Sequence, residues 1–170
     1  MFGLLLGIIY ISFISLGLPD ALLGSGWPII HEELNVPVSY AGIVSMIITI
    51  GTIISSFFSD KVIRKFGTGL VTAISVAMTA FALFGFSVSS HFWMLCLFSI
   101  PYGLGAGSVD AALNNFVALH YKARHMSWLH CFWGIGASLG PVIMGQCLIN
   151  GKHWTLGYEI VSFLQFGLSV

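Results

Sequence analysis

A run of long, nearly uncharged apolar stretches limits this chain more than any other feature. Six follow one another, at about 2–30, 38–58, 67–88, 92–119, 128–149 and 155–170, each bounded by charge or turn residues. A bilayer crossing needs about 20 predominantly apolar residues, so the first five are long enough and the sixth is incomplete. Continuous apolarity argues against a soluble core helix, and the strict alternation of a transmembrane barrel strand is absent. Apolar residues make up 57% of the chain and charged residues 7%, a balance that belongs to the same class. The expected architecture is an all-α membrane protein whose first partner is the lipid bilayer.

The net charge is zero and the six Lys and Arg residues are dispersed, so no nucleic-acid partner is expected. Cys96, Cys131 and Cys147 lie in apolar segments without a CxxC pair, and the histidines lack metal-ligand spacing. No metal, disulfide framework or cofactor is therefore expected. The N-terminus begins in apolar sequence without the basic region of a signal peptide, and reads as a retained membrane helix. The chain stops inside an apolar run, so it is expected to be part of a longer protein.

Orientation follows from the cations. Lys61, Arg64 and Lys65 separate the second and third segments, and Lys122 and Arg124 separate the fourth and fifth. The opposite side carries Lys152 together with Glu32 and Glu33. Cation bias sets the two basic loops and the N-terminus on the cytoplasmic side. Trp27, Trp154 and Trp128 fall near segment ends and are assigned to the interfacial aromatic belt.

Within the fourth segment, Gly103, Gly107, Asp110 and Asn114 share one helical face, with Asn115 beside it. The glycines allow another helix to approach closely. An acid near mid-membrane costs roughly 2.5–3.5 kcal/mol on insertion scales, so its default reading is functional. The first segment repeats the pattern: Gly17-Leu-Pro-Asp20-Ala matches Gly107-Ser-Val-Asp110-Ala. The two aspartates are the acids deep inside complete spans. Two three-helix units inserted with opposite topology account for this placement. Pro19 lacks a donor, frees the Ser15 carbonyl and predicts a kink. In the fifth segment Gly136, Gly140 and Pro141 permit close packing and a bend. Trp133 is suited either to core packing or to stacking on a solute ring. His130 is suited either to a structural hydrogen bond or to proton relay.

Three residue sets carry a family resemblance. Asp60-Lys-Val-Ile-Arg-Lys65 resembles the Asp-Arg-x-Gly-Arg-Lys loop of the major facilitator superfamily, with Asp60, Arg64 and Lys65 matching and Lys61 and Ile63 departing. Asp110, Asn114, Phe116 and Val117 resemble the fourth helix of its fucose permease-like sugar transporters, and Asp20 the acid of their first helix. The resemblance implies the N-terminal six-helix half of a twelve-helix transporter, built from two inverted three-helix repeats, with the C-terminal half absent. It implies that Asp20 and Asp110 line a central cavity, one near the substrate and one near the coupling proton. Asn114 would join them, with Asn115, His130 and Trp133 as further cavity candidates. Asp60, Lys61, Arg64 and Lys65 would form a gating loop. The group's fourth-helix acid is often Glu, so Asp110 leaves sodium open as the coupling ion.

The spans contain no Arg or Lys to balance an anionic solute. The expected function is proton-coupled symport of a neutral solute, a sugar, by alternating access in the plasma membrane of a bacterium. No enzymatic role is expected. The alternatives are a drug or metabolite:proton antiporter, sodium-coupled sugar uptake, or a membrane domain that only binds a partner. An intramembrane aspartyl protease would need its acids in Tyr-Asp and Gly-x-Gly-Asp settings, and here they are Pro-Asp and Val-Asp.

Overall fold

The computed structural model describes residues 2–169. It contains seven α-helices: α1 (Phe2–Asp20), α2 (Leu22–Glu33), α3 (Ala41–Phe66), α4 (Thr68–Ser87), α5 (Phe92–His120), α6 (Ala123–Ile149) and α7 (Trp154–Ser169). Among the described residues there is no strand. The α1–α2 segment and helices α3 to α6 are long and apolar enough to cross a membrane. Helix α5, with 29 residues, is about 43 Å long, more than a hydrocarbon core requires.

The first apolar segment breaks at Ala21, two residues after Pro19, which divides it into α1 and α2. The carbonyl that Pro19 cannot engage is not left bare. Gln165 on α7 donates its Nε2 to Ser15 O at 2.9 Å, while its Oε1 accepts from the Thr79 hydroxyl at 2.8 Å. Gln165 is 1% exposed, so this buried amide ties α1, α4 and α7 together where a proline opened the backbone. Helix α3 runs on to Phe66 and stops at Gly67, whose φ of +80° suits glycine.

Pairing follows the small residues. Helix α5 packs against α3 on one side and α4 on the other, and α1 packs against α6. A Cβ at Gly103 would strike the Ile48 carbonyl of α3, and one at Gly107 would strike the Thr52 carbonyl. Gly105 makes the corresponding approach to α4, at Ser75 O. On the other side of the bundle, Gly136 and Gly140 of α6 lie on the carbonyls of Ile14 and Leu18 in α1. Gly17 in turn lies on the Trp133 carbonyl. Exchanging the first three spans with the last three turns the α1–α6 contact into the α5–α3 contact. The inverted-repeat reading requires this relation.

Two details differ from expectation. Trp27 and Trp154 are buried, at 4% and 1% exposure, rather than belted at an interface. Each indole N–H has an acceptor: Trp27 donates to Val38 O and Trp154 to Glu33 Oε2, both at 2.7 Å. Only Trp128 of the three faces outward. Asp60, Lys61, Arg64 and Lys65 occupy the last two turns of α3 rather than a loop. Arg64 donates to Asp60 Oδ2 through Nε at 3.1 Å and again through Nη2, a contact of neighbouring turns that extends the helix.

Candidate functional site

Asp20 ends α1 at the break. Its carboxylate is held from two other helices. The Tyr102 hydroxyl of α5 donates to Oδ1 at 3.0 Å, and the Trp133 indole of α6 donates to Oδ2 at 2.9 Å. Tyr102 is buried, whereas Asp20 and Trp133 are exposed. Trp133 is thus exposed and hydrogen-bonded to Asp20 rather than a buried core side chain. Tyr102 carried no signal in the sequence, because a lone tyrosine in an apolar helix has many uses.

Asp110 lies on α5 and also faces outward. It accepts from Asn114 Nδ2 at 2.9 Å, one turn along the same helix. Asn114 Oδ1 is buried and has no hydrogen-bond partner among the described residues, so an acceptor beside the carboxylate is unused. His130 Nδ1 contacts Met126 O of its own helix at 2.9 Å, and its ring lies 6.4 Å from that of Phe13. Asn115 is exposed on α5. Pro141 sits within α6 one residue beyond the Gly140 contact. Neither aspartate forms an ion pair among the described residues.

Sequence reasoning missed two inter-helix histidines, because each partner is remote in the chain. The Tyr10 hydroxyl and His125 Nδ1 are 2.8 Å apart and join α1 to α6. His153 Nε2 and Glu33 Oε1 are 2.8 Å apart beside the Trp154–Glu33 bond. No group of three metal-ligating side chains occurs among the described residues.

Comparison with known proteins agrees with this architecture. Residues 9–168 match the family model of the Major Facilitator Superfamily. The chain is 22% identical over 163 residues to the glucose/mannose transporter GlcP of Bacillus subtilis, covering 95% of this chain and 40% of that protein. It is 27% identical over 157 residues to synaptic vesicle glycoprotein 2C of Rattus norvegicus, covering 88% and 21%. It is 26% identical over 141 residues to the quinolone resistance protein NorA of Staphylococcus aureus, covering 81% and 35%. The chain spans less than half the length of these relatives. Its spans and the family match together make it a membrane protein that belongs to the Major Facilitator Superfamily, whose members are transporters.

Proposed function

We propose that the full-length protein moves a neutral small solute, a sugar, by proton-coupled symport and alternating access. The observation that carries this reading is the pair of exposed aspartates, both hydrogen-bonded by neutral donors alone. A lysine or arginine partner would pin a carboxylate in its charged form. Neutral donors leave the carboxyl able to accept a proton from water on one side and return it to water on the other. Asp110 is the stronger candidate for that exchange, since its partner belongs to its own helix. The unpartnered Asn114 oxygen beside it suits a solute hydroxyl.

In this mechanism the second half of the protein supplies the opposite wall of the cavity, and solute and proton occupy the space between the halves. The helical end carrying Asp60, Lys61, Arg64 and Lys65 acts as a rigid gate element rather than a flexible loop. We place the protein in the plasma membrane with its N-terminus cytoplasmic, following the basic residues at that end of the bundle. The likeness to a glucose/mannose transporter favours sugars as the first probes.

The test uses the full-length protein in liposomes with glucose, mannose and other neutral sugars. One sugar acidifies the lumen as it enters, and Asp110→Asn abolishes the acidification. Unchanged acidification in Asp110→Asn would remove Asp110 from the mechanism. Sugar entry that requires sodium and leaves pH constant would replace the proton with sodium. The likeness to a quinolone resistance protein supports a second reading, antiport. Proton-driven quinolone efflux without sugar entry would establish it.

A further inference from the structure

Helices α3 and α4 meet at Gly67, and both pack on α5. Between them lies a furrow of about 300 Å³, with Ser108 of α5 in its lining. Its walls are Val62 and Phe66 of α3 and Leu70, Ile74 and Met78 of α4. Val62, Phe66, Leu70 and Ile74 are 40% to 53% exposed, so no described part of the chain covers it. From Leu70 to Met78 the furrow follows α4 for about 12 Å, against about 15 Å for the hydrocarbon of one leaflet. Ser108 is two residues from Asp110, about 200° around α5, so the furrow lies on the far side of that helix from the aspartate.

One end of the furrow carries charge. Lys65 Nζ stands 5.2 Å from the centroid of the Phe66 ring, which is part of the wall. Lys61 lies one turn earlier on α3, next to Val62 in the chain. The one acid in these turns, Asp60, is taken by Arg64. Neither lysine has an ion pair among the described residues. Long lysine stems lie along apolar surface and carry their charge to the headgroup level, where they attract anionic lipid. A free anion would leave the furrow unfilled, and a protein partner would have to carry an acid to the edge of the hydrocarbon. We propose that this furrow binds an anionic phospholipid, its phosphate on Lys61 and Lys65 and one acyl chain along α4. The site is separate from the aspartates and does not depend on the solute or the coupling ion.

The test places the full-length protein in nanodiscs with a phosphatidylglycerol or a phosphatidylcholine that carries a diazirine on its acyl chain. After illumination, peptide mapping reads the label on Leu70, Ile74 and Met78. The phosphatidylglycerol probe should label these residues roughly tenfold more than the phosphatidylcholine probe. Lys61→Gln combined with Lys65→Gln should bring the two probes to the same level. The size-exclusion profile of that variant should not change, since both side chains are exposed. Equal labelling by the two probes in the wild type would refute the site. A preference that survives the lysine changes would place the headgroup elsewhere and refute it as well. No label from either probe would mean that another part of the protein covers the furrow, and the proposal would fall.

Discussion

Asp20 and Asp110 follow the same Gly-x-x-Asp pattern, yet the bundle treats them differently. In both, the glycine lies against the backbone of a helix from the other three-helix unit: Gly17 on α6 and Gly107 on α3. Beyond the glycine the likeness ends. Asp20 is held across three helices by Tyr102 and Trp133. Asp110 is held only by Asn114, from its own helix. Moving Asp20 away from its partners strands a buried tyrosine hydroxyl, whereas Asp110 exchanges partners at small cost. A repeat thus supplies two equivalent positions, and the surrounding side chains make one a strut and the other a free group.

The largest expected effect tests the shared part. Gly17→Val and Gly107→Val each place a side chain on a backbone carbonyl and destabilise by about 3 kcal/mol or more. Size-exclusion profiles in detergent should show loss of folded protein for both. Survival of one variant alone would break the equivalence of the two motifs.

The next effect tests the difference. Asp20→Ala leaves Tyr102 and Trp133 without their acceptor and costs about 2 kcal/mol. Asp110→Ala costs less than about 1 kcal/mol, because its one hydrogen bond is exposed and lies within its own helix. Thermal unfolding of the purified full-length variants measures both, and equal shifts would erase the distinction. On function the order reverses, with Asp110→Ala the more damaging to proton-coupled uptake.

Two smaller effects sharpen the comparison. Asn114→Ala weakens solute binding about tenfold, or about 1.4 kcal/mol, with little change in unfolding temperature. Calorimetric or uptake titration reads it, and an unchanged affinity would leave the free Asn114 oxygen without a role. Trp133→Phe removes one donor from Asp20 and costs about 1 kcal/mol. Asp20→Ala and Trp133→Phe combined should cost less than the sum of the single changes, since they share one hydrogen bond. Full additivity would mean that the bond contributes nothing.

The spans were legible because hydrocarbon imposes a simple demand on composition and length. The break near Pro19 was legible because proline lacks a donor, and the orphaned carbonyl was named from position alone. Its partner Gln165 was not, because a hydrogen bond across the bundle leaves no local trace in the sequence. The tryptophans show the converse error. Position near a segment end suggests an interface, but Trp27 and Trp154 pack into the apolar core while their indoles bond to Val38 O and Glu33. Charge usually ends a span, so in sequence the basic stretch at 60–65 reads as a loop. Helix α3 continues through it, since Asp60 and Arg64 pair one turn apart and Gly67 supplies the stop.

By itself the sequence determined that the chain crosses a membrane as helices, which glycines permit close packing, and where the two acids lie. Those properties follow from local demands: hydrophobic length, helical period and the cost of an intramembrane charge. The tertiary arrangement alone settled what each acid touches, which glycine meets which backbone, and that Tyr102 and Trp133 converge on Asp20. Such properties depend on side chains far apart in the chain arriving at one place, and no local rule of spacing encodes that meeting.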